Sequence, residues 1–111
     1  MAKRTVNLTG TSENEELLRV VSPREYAGYG VTVFAQGTFT AGTVTIQVSP
    51  DDGTTKHTAK DVNGADATFS ANGYANIILG NGAKLGEDIT IFADLSGGSS
   101  EDIDVIAFDV R

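Results

Sequence analysis

The side chains able to do chemistry are few and scattered along the chain. His57 is the single histidine, and it stands beside Lys56 and Thr58 in the polar run TTKHTAK. A catalytic imidazole needs a nucleophile or an orienting carboxylate, and a metal site needs several converging ligands. The neighbouring residues supply neither, so His57 reads as a solvated surface residue. Asp51-Asp52-Gly53, with Asp61 nearby, lacks the alternating acid ladder and closing bidentate glutamate of a calcium loop, and reads as a turn. Glu87-Asp88, and Glu101-Asp102 with Asp104, read as loop charges facing water. With no cysteine there is no disulfide, thiolate ligand or thiol nucleophile. Gly-x-Ser-x-Gly, phosphate-cradling loops and dinucleotide fingerprints are absent. A domain of 111 residues leaves little room for a deep cleft beside its core, so paired carboxylates for glycoside hydrolysis are not expected. The expectation is no enzyme, no cofactor and no metal.

Positioning elements are strands. In GTFTAGTVTIQVSPDDGTT (37–55), Val44, Ile46 and Val48 alternate with Thr43, Thr45, Gln47 and Ser49, the period of a half-buried strand. Ser49-Pro50-Asp51-Asp52-Gly53 stops it: proline presets φ, aspartate bonds back to backbone N–H groups, and glycine takes positive φ. Val31 to Gln36 alternates likewise and reaches that strand through Gly37 to Gly42, which predicts a β-meander at the centre of the chain.

Charge narrows the partners. The chain carries 15 acidic and 8 basic residues, net −7, and Lys3-Arg4 is its one basic cluster. Phosphate backbones and anionic membranes reward clustered cations, so neither nucleic acid nor membrane is expected. Met1-Ala2-Lys3-Arg4 is not followed by the apolar run of a secretory signal, and no stretch reaches transmembrane length, so the Asn7-Leu8-Thr9 glycosylation triplet reads as chance.

The remaining segments complete an all-β reading. Residues 1–10 read by default as a free, frayed terminus, with Thr5 to Thr9 as a short strand or an N-terminal arm ordered by a partner as the alternative. In Ser12 to Val21, Ser12 with Glu15 has the form of a helix-capping box, but Val20-Val21 and Pro23 oppose a helix. The expectation is a strand from Leu17 to Ser22 with the acidic residues in a preceding loop. Tyr26 and Tyr29 either close one end of the core or face a partner. Thr54 to Lys60 predicts a polar edge strand. Asn-Gly at 63–64, 72–73 and 81–82 predicts tight turns of a meander. Ile89 to Leu95 and Ile103 to Val110 predict two further strands. The last is apolar on both parities, with Ile106, Phe108 and Val110 opposite Ile103, Val105 and Ala107. That demands a bulge near Val105-Ile106 or cover on both faces, and it suits a subunit interface. About eight short strands and little or no helix predict a single antiparallel two-sheet sandwich, jelly-roll-like, over residues 1–111.

The segment from Tyr29 to Thr55 resembles small virion proteins of tailed bacteriophages. The likeness rests on Val31 to Gln36, then Gly37-Thr38-Phe39, Gly42-Thr43-Val44-Thr45-Ile46, and Ser49-Pro50-Asp51-Asp52-Gly53-Thr54-Thr55. It covers about a quarter of the chain, and the Asn-Gly-Tyr-Ala-Asn run adds a weaker likeness. Many relatives place a tryptophan after the last threonine, where this chain has Lys56-His57. The resemblance implies a virion protein made in the host bacterial cytoplasm. Its role would be capsid decoration or cement, or a small tail or head–tail adaptor component. It implies the major capsid protein or other virion proteins as partners, and a homo-oligomer with a trimer favoured. The candidate contact residues are Lys3, Arg4, Val6, Leu8, Tyr26, Tyr29, Ile106, Phe108 and Val110. A carbohydrate-binding module is the alternative, because small sandwiches often carry sugar sites built on exposed aromatics. Against that alternative, there is no tryptophan, and several of the five phenylalanines are needed inside.

Overall fold

A computed structural model describes residues 2–20, 29–79 and 89–109. The described residues form nine strands and no helix. Strands β1 (Ala2–Gly10), β3 (Tyr29–Thr38), β7 (Gly73–Leu79) and β9 (Glu101–Asp109) make one antiparallel sheet, ordered β1-β9-β3-β7. Strands β2 (Glu13–Val20), β4 (Thr43–Ser49), β5 (His57–Thr58) and β8 (Ile89–Ser96) make the other, ordered β2-β8-β4-β5. Strand β6 (Thr68–Phe69) also pairs with β4, at Val44 and Thr45, while β5 pairs with Gln47 and Val48. From β1 to β4 and again from β6 to β9 successive strands alternate between the sheets, while β4, β5 and β6 share one; this is the jelly-roll arrangement expected from the strand pattern.

The alternation read from sequence sorts the residues onto the two sides of each sheet. Val44 and Ile46 of β4, Val31 and Val33 of β3, and Ile103 and Val105 of β9 are fully or almost fully buried between the sheets. The core is mainly aliphatic. Only Phe69 and Phe92 of the five phenylalanines are buried, and Phe39 packs against the core from the side. Phe34 and Phe108 lie elsewhere, so fewer phenylalanines are needed inside than the sequence suggested.

Several expectations are corrected. The acidic residues 13–16 are not a loop but the first half of β2, paired with β8 from Glu13↔Leu95 onward. A register shift between Glu16 and Leu18 turns both Leu17 and Leu18 towards the core. The central meander does not form, because β3 and β4 belong to different sheets. The backbone N–H groups of the connecting loop at Thr40, Ala41 and Gly42 are taken by the Glu101 carboxylate rather than by a hairpin partner. The later segment is no meander either, since β6 joins β4 while β7 joins β3. The predicted polar strand from Thr54 to Lys60 shrinks to His57–Thr58. Asn63-Gly64 sits in a turn with Gly64 at φ 84°, whereas Asn72 accepts the Gly37 N–H at 2.9 Å through Oδ1; the third Asn-Gly lies outside the described residues. Strand β9 keeps one unbroken register against both neighbours, so no bulge flips its faces.

Candidate functional site

Residues 2–10 are not a free arm. They form β1, paired residue by residue with β9 from Ala2↔Asp109 to Gly10↔Glu101. Leu8 is fully buried and Val6 packs partly buried against the core, so Leu8 is a core residue with no surface to offer a partner. Lys3 and Arg4 are exposed. Strand β1 is also a terminal strand of its sheet. The Thr9 N–H is bonded at 2.9 Å by Glu13 Oε1 rather than by β9. Because backbone groups alternate in direction along an antiparallel strand, the N–H and C=O of Lys3, Thr5 and Asn7 point the same way, to the open edge. Tyr29 starts β3, while Tyr26 and Val110 lie outside the described residues.

The second parity of β9 explains itself on the outer face of the same sheet. Ile106 and Phe108 are half-buried there, beside Phe34 and Tyr74. Register places Thr5, Ile106, Phe34 and Tyr74 in one row across four strands, and Lys3, Phe108, Thr32 and Asn76 in the next. The Phe34 and Tyr74 rings stack, with centroids 5.4 Å apart and planes 28° apart. Phe108 stands edge-on to Phe34 at 5.9 Å, with Lys3 Nζ 5.9 Å from its own centroid. Tyr74 remains 65% exposed and Phe34 36%. Thr32 Oγ1 donates to Asn76 Oδ1 at 2.8 Å. On the other side of the Phe34 row, Asn7 Nδ2 donates to Asp102 and Asp104, each at 2.9 Å. Sequence reasoning named Lys3, Ile106 and Phe108 but missed Phe34 and Tyr74; the odd apolar parity of β9 was the available signal.

The residues read as chemically idle are placed as follows. His57 is exposed on the short β5. No group of three or more metal-ligating His, Cys, Asp or Glu side chains occurs among the described residues. Asp51 closes the predicted turn by accepting the Thr55 N–H at 2.7 Å and the Ser49 hydroxyl at 2.8 Å. Those bonds, the one from Thr55 first, hold its carboxyl below the usual aspartate range. The turn folds over the outer face of the second sheet, where Asp52 pairs with Arg19 and Lys56 Nζ lies 4.4 Å from the Phe92 centroid. Phe92, supplied by β8, is thus the ring beneath the turn.

Glu101 corrects the reading of a loop charge. It is 2% exposed. Its carboxylate accepts the Thr40 hydroxyl and the backbone N–H groups of Thr40, Ala41, Gly42 and Ser99. That nest of donors, the Thr40 hydroxyl foremost, holds its pKa far below the usual glutamate value. It ties the loop at 40–42 to the start of β9.

No family model matches the chain, and no curated protein matches its sequence. Among solved structures it is similar to the SPBc2 prophage-derived protein YomS, with a TM-score of 0.52 at 12% identity over 96% of this chain and 93% of that one. It is also similar to TmCBM61, solved in complex with β-1,4-galactotriose. There the TM-score is 0.52 at 20% identity, over 95% of this chain and 70% of that one. At such identities the likeness is one of fold. A prophage protein and a carbohydrate-binding module share this sandwich.

Proposed function

We propose that the chain is a non-enzymatic structural protein of a tailed-phage particle, a capsid decoration protein whose partner is the major capsid protein. The observation that carries this reading is the meeting of the two expected contact segments. Residues 3–8 and the C-terminal strand fold as neighbours at one edge of one sheet, with Lys3 opposite Phe108 and Thr5 opposite Ile106. The fold likeness to the prophage-derived YomS supports it. The outward N–H and C=O groups of Lys3, Thr5 and Asn7 suit addition of an extended capsid segment to the sheet, with Lys3 and Arg4 drawing an acidic one. A protein that binds the assembled shell but not its dispersed subunits stabilises the shell by mass action, and a symmetric lattice point favours a homotrimer.

Co-sedimentation with expanded capsids tests the proposal. Association is expected, and Thr5→Pro should abolish it while leaving the thermal melt nearly unchanged, because that N–H faces away from β9. No association, or localisation of the protein to the tail by electron microscopy, overturns the decoration reading. A second reading, a carbohydrate-binding module, is favoured by the exposed Phe34–Tyr74 pair and by the fold likeness to TmCBM61.

A further inference from the structure

We infer that the outer face of the β1-β9-β3-β7 sheet holds a saccharide subsite, with the stacked Phe34–Tyr74 pair as its platform and Phe108 beside it. The inference rests on the second reading above and is independent of attachment to a capsid.

Size comes first. An aromatic side chain offers roughly 150–250 Å² in all, so a Phe34 that is 36% exposed and a Tyr74 that is 65% exposed leave on the order of 200 Å² open. A stable protein interface needs about 800 Å² from each partner. The open ring surface suits one or two sugar rings. Shape agrees: Phe34 and Tyr74 stack on adjacent strands with their planes 28° apart, Tyr74 is left 65% exposed, and Phe108 stands edge-on to Phe34.

Polarity then selects the ligand class. In the adjoining row, Asn76 uses its Oδ1 on Thr32, and among the described residues its Nδ2 protons have no partner. Lys3 Nζ stands at the far end of that row, over the Phe108 ring. A purely apolar ligand would cover these donors without satisfying them, at a cost of roughly 1–3 kcal/mol each. A nucleic acid would bring phosphates towards Asp102 and Asp104, on a chain of net charge −7. A neutral saccharide matches both halves, since its C–H faces lie on the rings while its hydroxyls accept from Asn76 and Lys3.

The test is calorimetric titration of the full-length chain with cellotriose, maltotriose and galactotriose, with backbone amide shifts followed by NMR. At least one trisaccharide is expected to bind and to move the amides of Phe34, Tyr74 and Asn76. Tyr74→Ala and Phe34→Ala should each weaken it about tenfold or more, Tyr74→Phe should retain most of it, and His57→Ala, exposed on β5 of the other sheet, should change nothing. If none of the three binds, the inference and the second reading fall together. If one binds with Tyr74→Ala and Phe34→Ala unaffected and the shifts elsewhere, the module reading survives and this site is wrong.

Discussion

Five donors converge on the Glu101 carboxylate, and that convergence sets how the molecule answers acid. All five bond the charged form, so the group holds its proton less readily in the folded chain than in the unfolded one. A depressed folded pKa contributes stability that is fully present above the unfolded pKa and is lost as pH falls below it. Urea midpoints of the wild type should therefore drop as pH is lowered from about 5 towards 3. Glu101→Gln should lower the midpoint at pH 7 and flatten that acid slope. Asp51→Asn should have a smaller effect, because Asp51 is exposed and serves one turn. A Glu101→Gln variant that keeps the wild-type acid slope would refute the linkage. Gly42 and Gly98 belong to the same device: a Cβ at either would stand 2.8–2.9 Å from a Glu101 carboxylate oxygen.

Among the elements, β1 decides between arm and framework. Its nine residues pair with β9 along their whole length and place Leu8 in the core. Losing a buried leucine side chain alone costs about 2–5 kcal/mol, against a total stability of about 5–15 kcal/mol for such a domain. Deleting residues 2–10 is therefore expected to abolish the cooperative thermal transition seen by circular dichroism. A truncated chain that melts like the full-length one would restore the arm. The Ser49–Gly53 turn shows the opposite case, in which local chemistry was sufficient. Asp51 bonds back as aspartate does in such turns, and Gly53 takes φ 95°. What local chemistry left open was the turn's destination, over Phe92 on the second sheet.

At the scale of the whole molecule, the two ends of the chain meet, because β1 completes the sheet only once β9 is made. Every consecutive pair from β1 to β4 is split between sheets. Non-local pairing of this kind must bear loop-closure entropy before contacts repay it, so refolding after denaturant dilution should take milliseconds to seconds rather than microseconds. Stopped-flow fluorescence of the three tyrosines would measure it; a microsecond phase carrying the full amplitude would contradict the topology.

The sequence by itself determined the fold class, most strand positions, the Asp51–Gly53 turn and the absence of cysteine chemistry. These follow from period-two alternation and turn residues, which act over a few neighbouring positions. Strand partners were decided only by tertiary structure, since a strand's pattern says which face is buried but not which strand lies beside it. The same limit hid the ring face: Phe34, Tyr74 and Phe108 are 34 residues or more apart along the chain and become neighbours through register alone. It hid Glu101 as well, whose acidic neighbours look solvated until the loop at 40–42 is brought against it.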